Sequence, residues 1–375
     1  MKKNILFIII LVITLSFFVG CTTSQTTVNK DSNEEDSYDN KIIITDMLNR
    51  TVTIDNNAKK IVAIGPGALR LFCYVDSIDK VAGIEQIEKK YSMGRPYALA
   101  NPSIKDLDVI GPGGPNNSPD VEKLFSVKPD VIFSMYGNDK SAVDKLQTKI
   151  GIPVIALSYG KVATFDPAVY ESIKIIGEVM GQEERAEEVI NYMKECYNDL
   201  SRRTKDIDDS KKISTYIGAL SYKGSHGIES TYGEYSLFKA INAKNVVDEV
   251  DKTGSIMIDK EKIIEWNPDK IFIDYGGLNL VKQDYEKNPD FYNSLSAFKN
   301  GEIYSQLPYN FYHTNIGTSI ADAYYLGKVL YPEQFQDIEP DKKADEIYKF
   351  LVGKEVYSQM VEDFGSFSKI SIINK

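Results

Sequence analysis

The sequence predicts an α/β protein of two similar lobes, each a mainly parallel sheet flanked by helices, joined by one long rigid helix. Three observations carry that expectation. A seventeen-residue phrase occurs twice, as VEKLFSVKPDVIFSMYG over residues 121–137 and KEKIIEWNPDKIFIDYG over 260–276. Eight positions are identical without a gap, and a unit repeated once at that distance points to paired lobes rather than a solenoid. Elsewhere, short apolar strand-like runs alternate with amphipathic helical ones, which implies parallel pairing. Between the copies lies a helical stretch over 167–203.

Taken in order, residues 1–20 read as an export signal. Lys2 and Lys3 precede an apolar run over 5–19 that ends at Gly20 and Cys21. That run is shorter than the roughly 20 residues a bilayer span needs. Phe18-Val19-Gly20-Cys21 resembles a bacterial lipobox, although Phe18 stands where leucine is usual. The resemblance implies that the Cys21 thiol carries lipid, palmitate included, and becomes the first residue of the mature chain. Residues 21–40 are polar, with Tyr38 their one aromatic, and cannot bury enough apolar surface to order themselves. They are expected to form a flexible tether.

The first lobe is assigned to 41–165. KIIITDMLNRTVTI reads as two alternating strands around a turn. Residues 61–64 form a buried strand ending in Gly65-Pro66-Gly67, followed by a helix over 68–74 and a strand over 81–84. The stretch 108–119, crowded with Gly, Pro and Asn, is expected to be loop. The first repeat comes next, then a helix over 140–149 and a strand over 153–157.

The connecting spine is assigned to 166–205. Ala186, Val189, Ile190, Met193, Tyr197 and Leu200 recur at three and four and define one face, with Gly181 as an interruption upstream. The second lobe, 206–375, opens with a strand over 213–220. It then holds the second repeat, a strand over 302–304 and helices over 316–331, 342–352 and 355–364.

Composition narrows the function. A formal net charge of -10 without a basic stripe argues against nucleic acid. Two histidines, His226 and His313, cannot supply a three-histidine metal site, and there is no CxxC. Cys73 and Cys196 are read as buried free thiols. Neither GxSxG nor HExxH occurs, so a lipid-anchored hydrolase is disfavoured and no enzyme activity is expected.

The order TDMLNRTVTI, KKIVAIGPGALRLFCYVDSIDKVAGIE, VKPDVIFS, GIPVIAL, then WNPDKIFID, FKNGEIYSQLP and IADAYYLGKVLYPEQF resembles the substrate-binding proteins of ABC importers. Specifically it resembles their iron-siderophore, haem and cobalamin group, over residues 41 to about 335. That resemblance implies the class III periplasmic-binding-protein fold, two lobes that rock by a few degrees about the helix. It implies a monomer at the extracytoplasmic face of a membrane, with no intrinsic cofactor or resident metal. The implied ligand is an Fe(III) chelate of siderophore type, delivered to an ABC permease and its ATPase. Haem or a corrinoid on the same fold is the alternative, and a sensor lipoprotein is left open. The family's permease-docking glutamates match Glu122 and Glu261, identical in the two repeats.

Ligands of open α/β sheets lie beyond the carboxyl ends of the strands. The residues just past each strand therefore supply the candidate ligand-binding set. They are Arg70 on the helix after the Gly-Pro-Gly turn, and Arg95 and Tyr97 after the strand at 81–84. Tyr136, Tyr159 and Tyr275 stand at strand ends, Tyr222 and His226 come after the strand at 213–220, and Tyr309 and Tyr312 after the last strand. Tyrosines give an apolar face with a polar tip, and arginines match carboxylates or catecholates. Direct capture of bare ferric ion needs oxygen ligands converging in one place, and the strand-end tyrosines are expected to lie too far apart for it.

Overall fold

The structure, a computed structural model, describes residues 41–56, 58–114, 117–136 and 139–372. The signal, the tether and Cys21 lie outside the described residues. The described chain opens with an antiparallel hairpin, β1 (Lys41–Thr45) and β2 (Thr51–Asp55), whose alternate residues Ile44, Val52 and Ile54 are buried.

The first lobe's sheet contains β3 (Ile61–Ile64), β4 (Val81–Glu85), β5 (Val109–Gly111), β6 (Val131–Ser134) and β7 (Val154–Ala156). Their spatial order is β5-β4-β3-β6-β7, all parallel. β5 corrects the expectation of a continuous loop over 108–119. Val109 and Ile110 are apolar enough to add an edge strand to β4, and Gly and Pro take over only beyond Gly111.

The second lobe adds β8 (Ser214–Gly218), β9 (Ser230–Gly233), β10 (Lys244–Asn245), β11 (Gly254–Met257), β12 (Lys270–Asp274) and β13 (Ile303–Gln306). Its main sheet runs β10-β8-β12-β13, again parallel, while β9 and β11 form a separate antiparallel ribbon. The sequence carries no clear signal for that ribbon, because its strands are short, the buried residues of β9 are Ser, Thr and Gly, and β11 is partly exposed.

The repeat builds the same corner twice. The helix Val121–Val127 buries Leu124 and the helix Lys260–Trp266 buries Ile263. Each helix ends on a non-glycine residue in the left-handed region, Lys128 at φ 49 and Asn267 at φ 41. Proline then blocks continuation. Next, an aspartate ties the strand to its neighbour. Asp130 Oδ2 accepts from the Lys59 and Lys60 amides at 2.8 and 2.9 Å, at the start of β3. Asp269 Oδ2 accepts from the Ser214 amide and hydroxyl at 3.2 and 2.6 Å, at the start of β8. β6 thus lies between β3 and β7 as β12 lies between β8 and β13.

Between the two sheets run the helices Pro167–Met180 and Glu183–Thr204. Asp166 caps the first through the Ala168 amide, and Gly181, at φ 61, ends it. The second spans about 33 Å at 1.5 Å per residue. Its buried stripe of Ala186, Val189, Ile190, Met193, Cys196 and Leu200 joins a core that also contains Phe72 and Phe133 of the first lobe and Phe272 and Leu307 of the second. Smaller apolar clusters lie outside each sheet. A core held in common restrains independent motion of the lobes, since separating them would expose packed apolar surface at about 25 cal/mol per Å². Cys73 and Cys196 are unpaired. Among the described residues no helix is long and apolar enough to cross a membrane.

Candidate functional site

The carboxyl ends of both sheets meet at the loop after β13. Pro308 to Thr314 leaves the second lobe, presses into the first, and returns as the helix Ile316–Leu330. Two of its residues, Tyr312 at φ 52 and His313 at φ 73, occupy the left-handed region. Non-glycine residues avoid that region unless the surroundings hold them there.

Arg70 supplies the holding. Its helix, Ala68–Val75, comes directly after the Gly-Pro-Gly turn, and the side chain is fully buried. Nε donates to Asn315 Oδ1 at 2.8 Å. One terminal nitrogen donates to Tyr159 Oη and to the Thr314 carbonyl at 3.0 and 2.8 Å. The other donates to the Phe311 and Tyr312 carbonyls at 2.9 and 3.2 Å. A guanidinium has five N–H donors, and all five are engaged here. Arg70 is therefore a fastener between lobes, with no donor left for a ligand in this arrangement.

The turn before Arg70 needs glycine. Gly67 has φ 87, and a Cβ on it would stand 2.6 Å from the Tyr159 ring. Tyr159 in turn donates to the Gly67 carbonyl at 3.1 Å and packs against His313 with ring centroids 4.2 Å apart. Desolvation of the packed ring, then the Arg70 charge, lower the His313 pKa to about 4. Its free edge stays in solvent, which moderates the effect.

A second set of contacts centres on carboxylate, carbonyl and phenol oxygens, with two backbone amides donating into it. Glu85 ends β4 and is buried. Tyr136 Oη donates to its Oε1 at 2.6 Å, and Tyr312 Oη donates to its Oε2 at 2.6 Å. The two phenolic oxygens are 3.3 Å apart, and the Gly114 carbonyl lies 3.0 Å from Tyr136 Oη. The amides of Gly65 and Gly114 complete the set by donating to Glu85 Oε2 and Tyr312 Oη. Desolvation raises the Glu85 pKa against the lowering pull of these donors, and it raises both tyrosine pKa values.

The other expected ligand residues stand apart from this junction in varying degree. Arg95 sits over the Tyr312 ring at 5.2 Å, but its head group donates to Glu88 at 2.9 Å. Tyr97 is a core residue whose hydroxyl donates to the same carboxylate at 2.6 Å, so it does not line the cleft. Tyr275, the repeat equivalent of Tyr136, donates to the Ser366 carbonyl at 2.9 Å and lies under the C-terminal segment. Tyr222 is exposed on a tight turn whose carbonyl is 2.7 Å from His226 Nε2. That turn does approach the junction, because Asn310 donates to the Ser221 carbonyl at 2.6 Å. Tyr309 lies below, near Tyr235, and its carbonyl receives the Asn315 amide at 2.7 Å.

Sequence reasoning missed Glu85 and the buried acids Asp274 and Asp322. The same strand-end rule that selected tyrosines also selects Glu85 and Asp274. Asp274 accepts from the Gly276 amide at 2.7 Å, and Asp322 Oδ1 accepts from the Leu307 amide at 3.0 Å. Burial raises both pKa values well above the carboxylate range. Glu122 and Glu261 stand exposed in the first turns of the two repeat helices.

A family model described as periplasmic binding protein matches residues 79–308. The chain is 26% identical over 330 residues to the molybdate-binding protein MolA of Haemophilus influenzae, covering 82% of this chain and 90% of MolA. It is 25% identical to the ABC transporter substrate-binding lipoprotein YvrC of Bacillus subtilis, covering 79% and 87%. It is 27% identical over 210 residues to the iron-uptake system-binding protein of the same organism, covering 54% and 62%. Among solved structures, molybdate-bound MolA superposes at a TM-score of 0.65 over 84% of this chain and 98% of that one, at 23% identity. A periplasmic solute binding protein from Veillonella parvula reaches 0.70 at 18% identity, covering 87% and 97%.

Proposed function

This chain belongs to the periplasmic binding protein family, the substrate-binding components of ABC transporters, which are not enzymes; we propose that its cargo is an iron complex of siderophore type, captured where the two lobes meet. The observation that supports this is the chemistry of the junction. Glu85, Tyr136, Tyr312 and the Gly114 carbonyl present oxygen, while the five donors of Arg70 are spent on protein acceptors. Oxygen donors suit a hard metal, and the two backbone N–H groups of the cluster, those of Gly65 and Gly114, already donate to Glu85 and Tyr312. Relatedness to an iron-uptake system-binding protein agrees with the reading.

An oxyanion such as molybdate is the second reading, favoured by the likeness to MolA. Haem or a corrinoid would need the Arg70 and Tyr312 contacts to part widely enough for a flat macrocycle. In the proposed cycle the protein is a monomer, held at the extracytoplasmic face by lipid on Cys21. Glu122 and Glu261 dock it on the permease, as exposed charges steer association more than they add affinity.

Isothermal titration of the full chain tests the cargo. The panel is ferric catecholate and hydroxamate complexes, the same chelators without iron, haem, cobalamin and molybdate. The proposal expects saturable binding of a ferric complex and weaker binding of its iron-free chelator. Binding of molybdate alone, or equal binding of chelator with and without iron, overturns it.

A further inference from the structure

We infer that Tyr136, Tyr312 and Glu85 bind the metal of the cargo directly, as two phenolates and a carboxylate on a hard trivalent cation. This rests on the iron reading above and adds to it the contact that reads the metal. The expected separation concerned the strand-end tyrosines Tyr136, Tyr159 and Tyr275; the partner that Tyr136 meets is instead a loop tyrosine. Tyr136 comes from the end of β6 and Tyr312 from the loop after β13, yet their hydroxyl oxygens are 3.3 Å apart.

The spacing suits a cation. Oxygens at right angles around a metal held at about 2.0–2.1 Å stand about 2.9 Å from one another. Here Tyr136 Oη lies 2.6 Å from Glu85 Oε1, 3.0 Å from the Gly114 carbonyl and 3.3 Å from Tyr312 Oη. Tyr312 Oη lies 2.6 Å from Glu85 Oε2. Two phenolic protons now occupy the space between these oxygens. On binding, two phenolic O–H bonds break and three oxygen–metal bonds form, one to each phenolate and one to the Glu85 carboxylate; three metal-bound waters or chelator atoms leave, and both protons pass to water. The iron remains ferric throughout. The chelator keeps the remaining coordination positions.

Two further features point the same way. Tyr312 reaches the cluster only because it and His313 adopt left-handed backbone, held by the carbonyl bonds of Arg70. Strain of that kind collects where a side chain must be aimed. Moreover, Tyr312 belongs to one lobe and Glu85 and Tyr136 to the other, so the metal would tie the lobes together where protons do so without it.

The test is titration of the full chain with ferric nitrilotriacetate, read by the visible phenolate-to-iron charge-transfer band, with bound iron counted by native mass spectrometry. Gallium(III) nitrilotriacetate serves as a colourless control that still yields the ultraviolet signature of phenolate. One iron per chain with the band is expected. Tyr136→Phe and Tyr312→Phe should each weaken iron binding at least tenfold and diminish the band. Tyr275→Phe, at the matching place in the other repeat, should leave both unchanged. Bound iron without the band in the unaltered chain overturns direct contact while leaving the cargo reading intact. Failure of any ferric complex to bind, with molybdate bound, overturns both. A band that survives both phenylalanine variants also overturns the assignment.

Discussion

At the end of β6, Tyr136 donates to Glu85 and meets Tyr312 of the opposite lobe, whereas at the matching place after β12, Tyr275 turns onto the Ser366 carbonyl. Up to that point the two copies of the repeat agree in detail. Helix, left-handed stop, proline and strand-tying aspartate recur with the same bonding logic. The difference teaches that the duplicated phrase specifies a corner of each sheet, while what its last tyrosine does depends on the segment that covers it. In the first lobe that segment is the loop after β13. In the second it is the chain's own C-terminal stretch, Gly365 to Ser368.

If the junction in the first lobe depends on Arg70, its loss should have the largest effect. Arg70→Ala leaves the buried Thr314 carbonyl and the partly buried Tyr312 carbonyl short of a donor and the Phe311 carbonyl with only Asn315 Nδ2, each unsatisfied buried group costing about 1–3 kcal/mol. A loss of about 4 kcal/mol in denaturant unfolding is expected. A change under about 1 kcal/mol would mean that the loop is held by other contacts.

Next comes pH dependence, which isolates the second lobe. Asp274 and Asp322 have pKa values raised by burial, and an unfolded aspartate titrates near 3.9, roughly. The folded state therefore binds more protons between those values. Stability is fully present below the unfolded pKa and falls as pH rises through the folded one. Asp322→Asn should flatten that fall in urea midpoints measured across pH, and an unchanged slope would place the proton elsewhere.

The tying aspartates should behave alike. Asp130→Ala and Asp269→Ala each remove a surface carboxylate from two donors, for about 1 kcal/mol apiece. Unequal losses, with one near zero, would break the equivalence of the two corners. Smallest for the fold is Glu122→Ala combined with Glu261→Ala, expected to change stability by under about 0.5 kcal/mol. Ligand affinity should hold while uptake in whole cells is abolished, and normal uptake would remove the docking assignment.

Much of this architecture could be read from periodicity, because buried strands and amphipathic helices announce themselves locally. Gly181 marked its helix end, and Pro-Asp marked both strand starts. The ribbon of β9 and β11 was not legible, since β9 buries small and polar residues and β11 is short and half-exposed. At the site, the strand-end rule found Tyr136 and Tyr159 but gave no means of telling Tyr136 from Tyr275. The partners that separate them lie 51 and 91 residues away in sequence. Arg70 looked like an anion ligand by type. Only tertiary contacts reveal that the carbonyls of a distant loop consume its donors.

Iron-edge anomalous diffraction from crystals of the full chain grown with ferric nitrilotriacetate tests the central claim most directly. The account predicts one peak between the lobes, within bonding distance of Tyr136 Oη and Tyr312 Oη. Iron bound elsewhere, with those two phenols still hydrogen-bonded to Glu85, would contradict it.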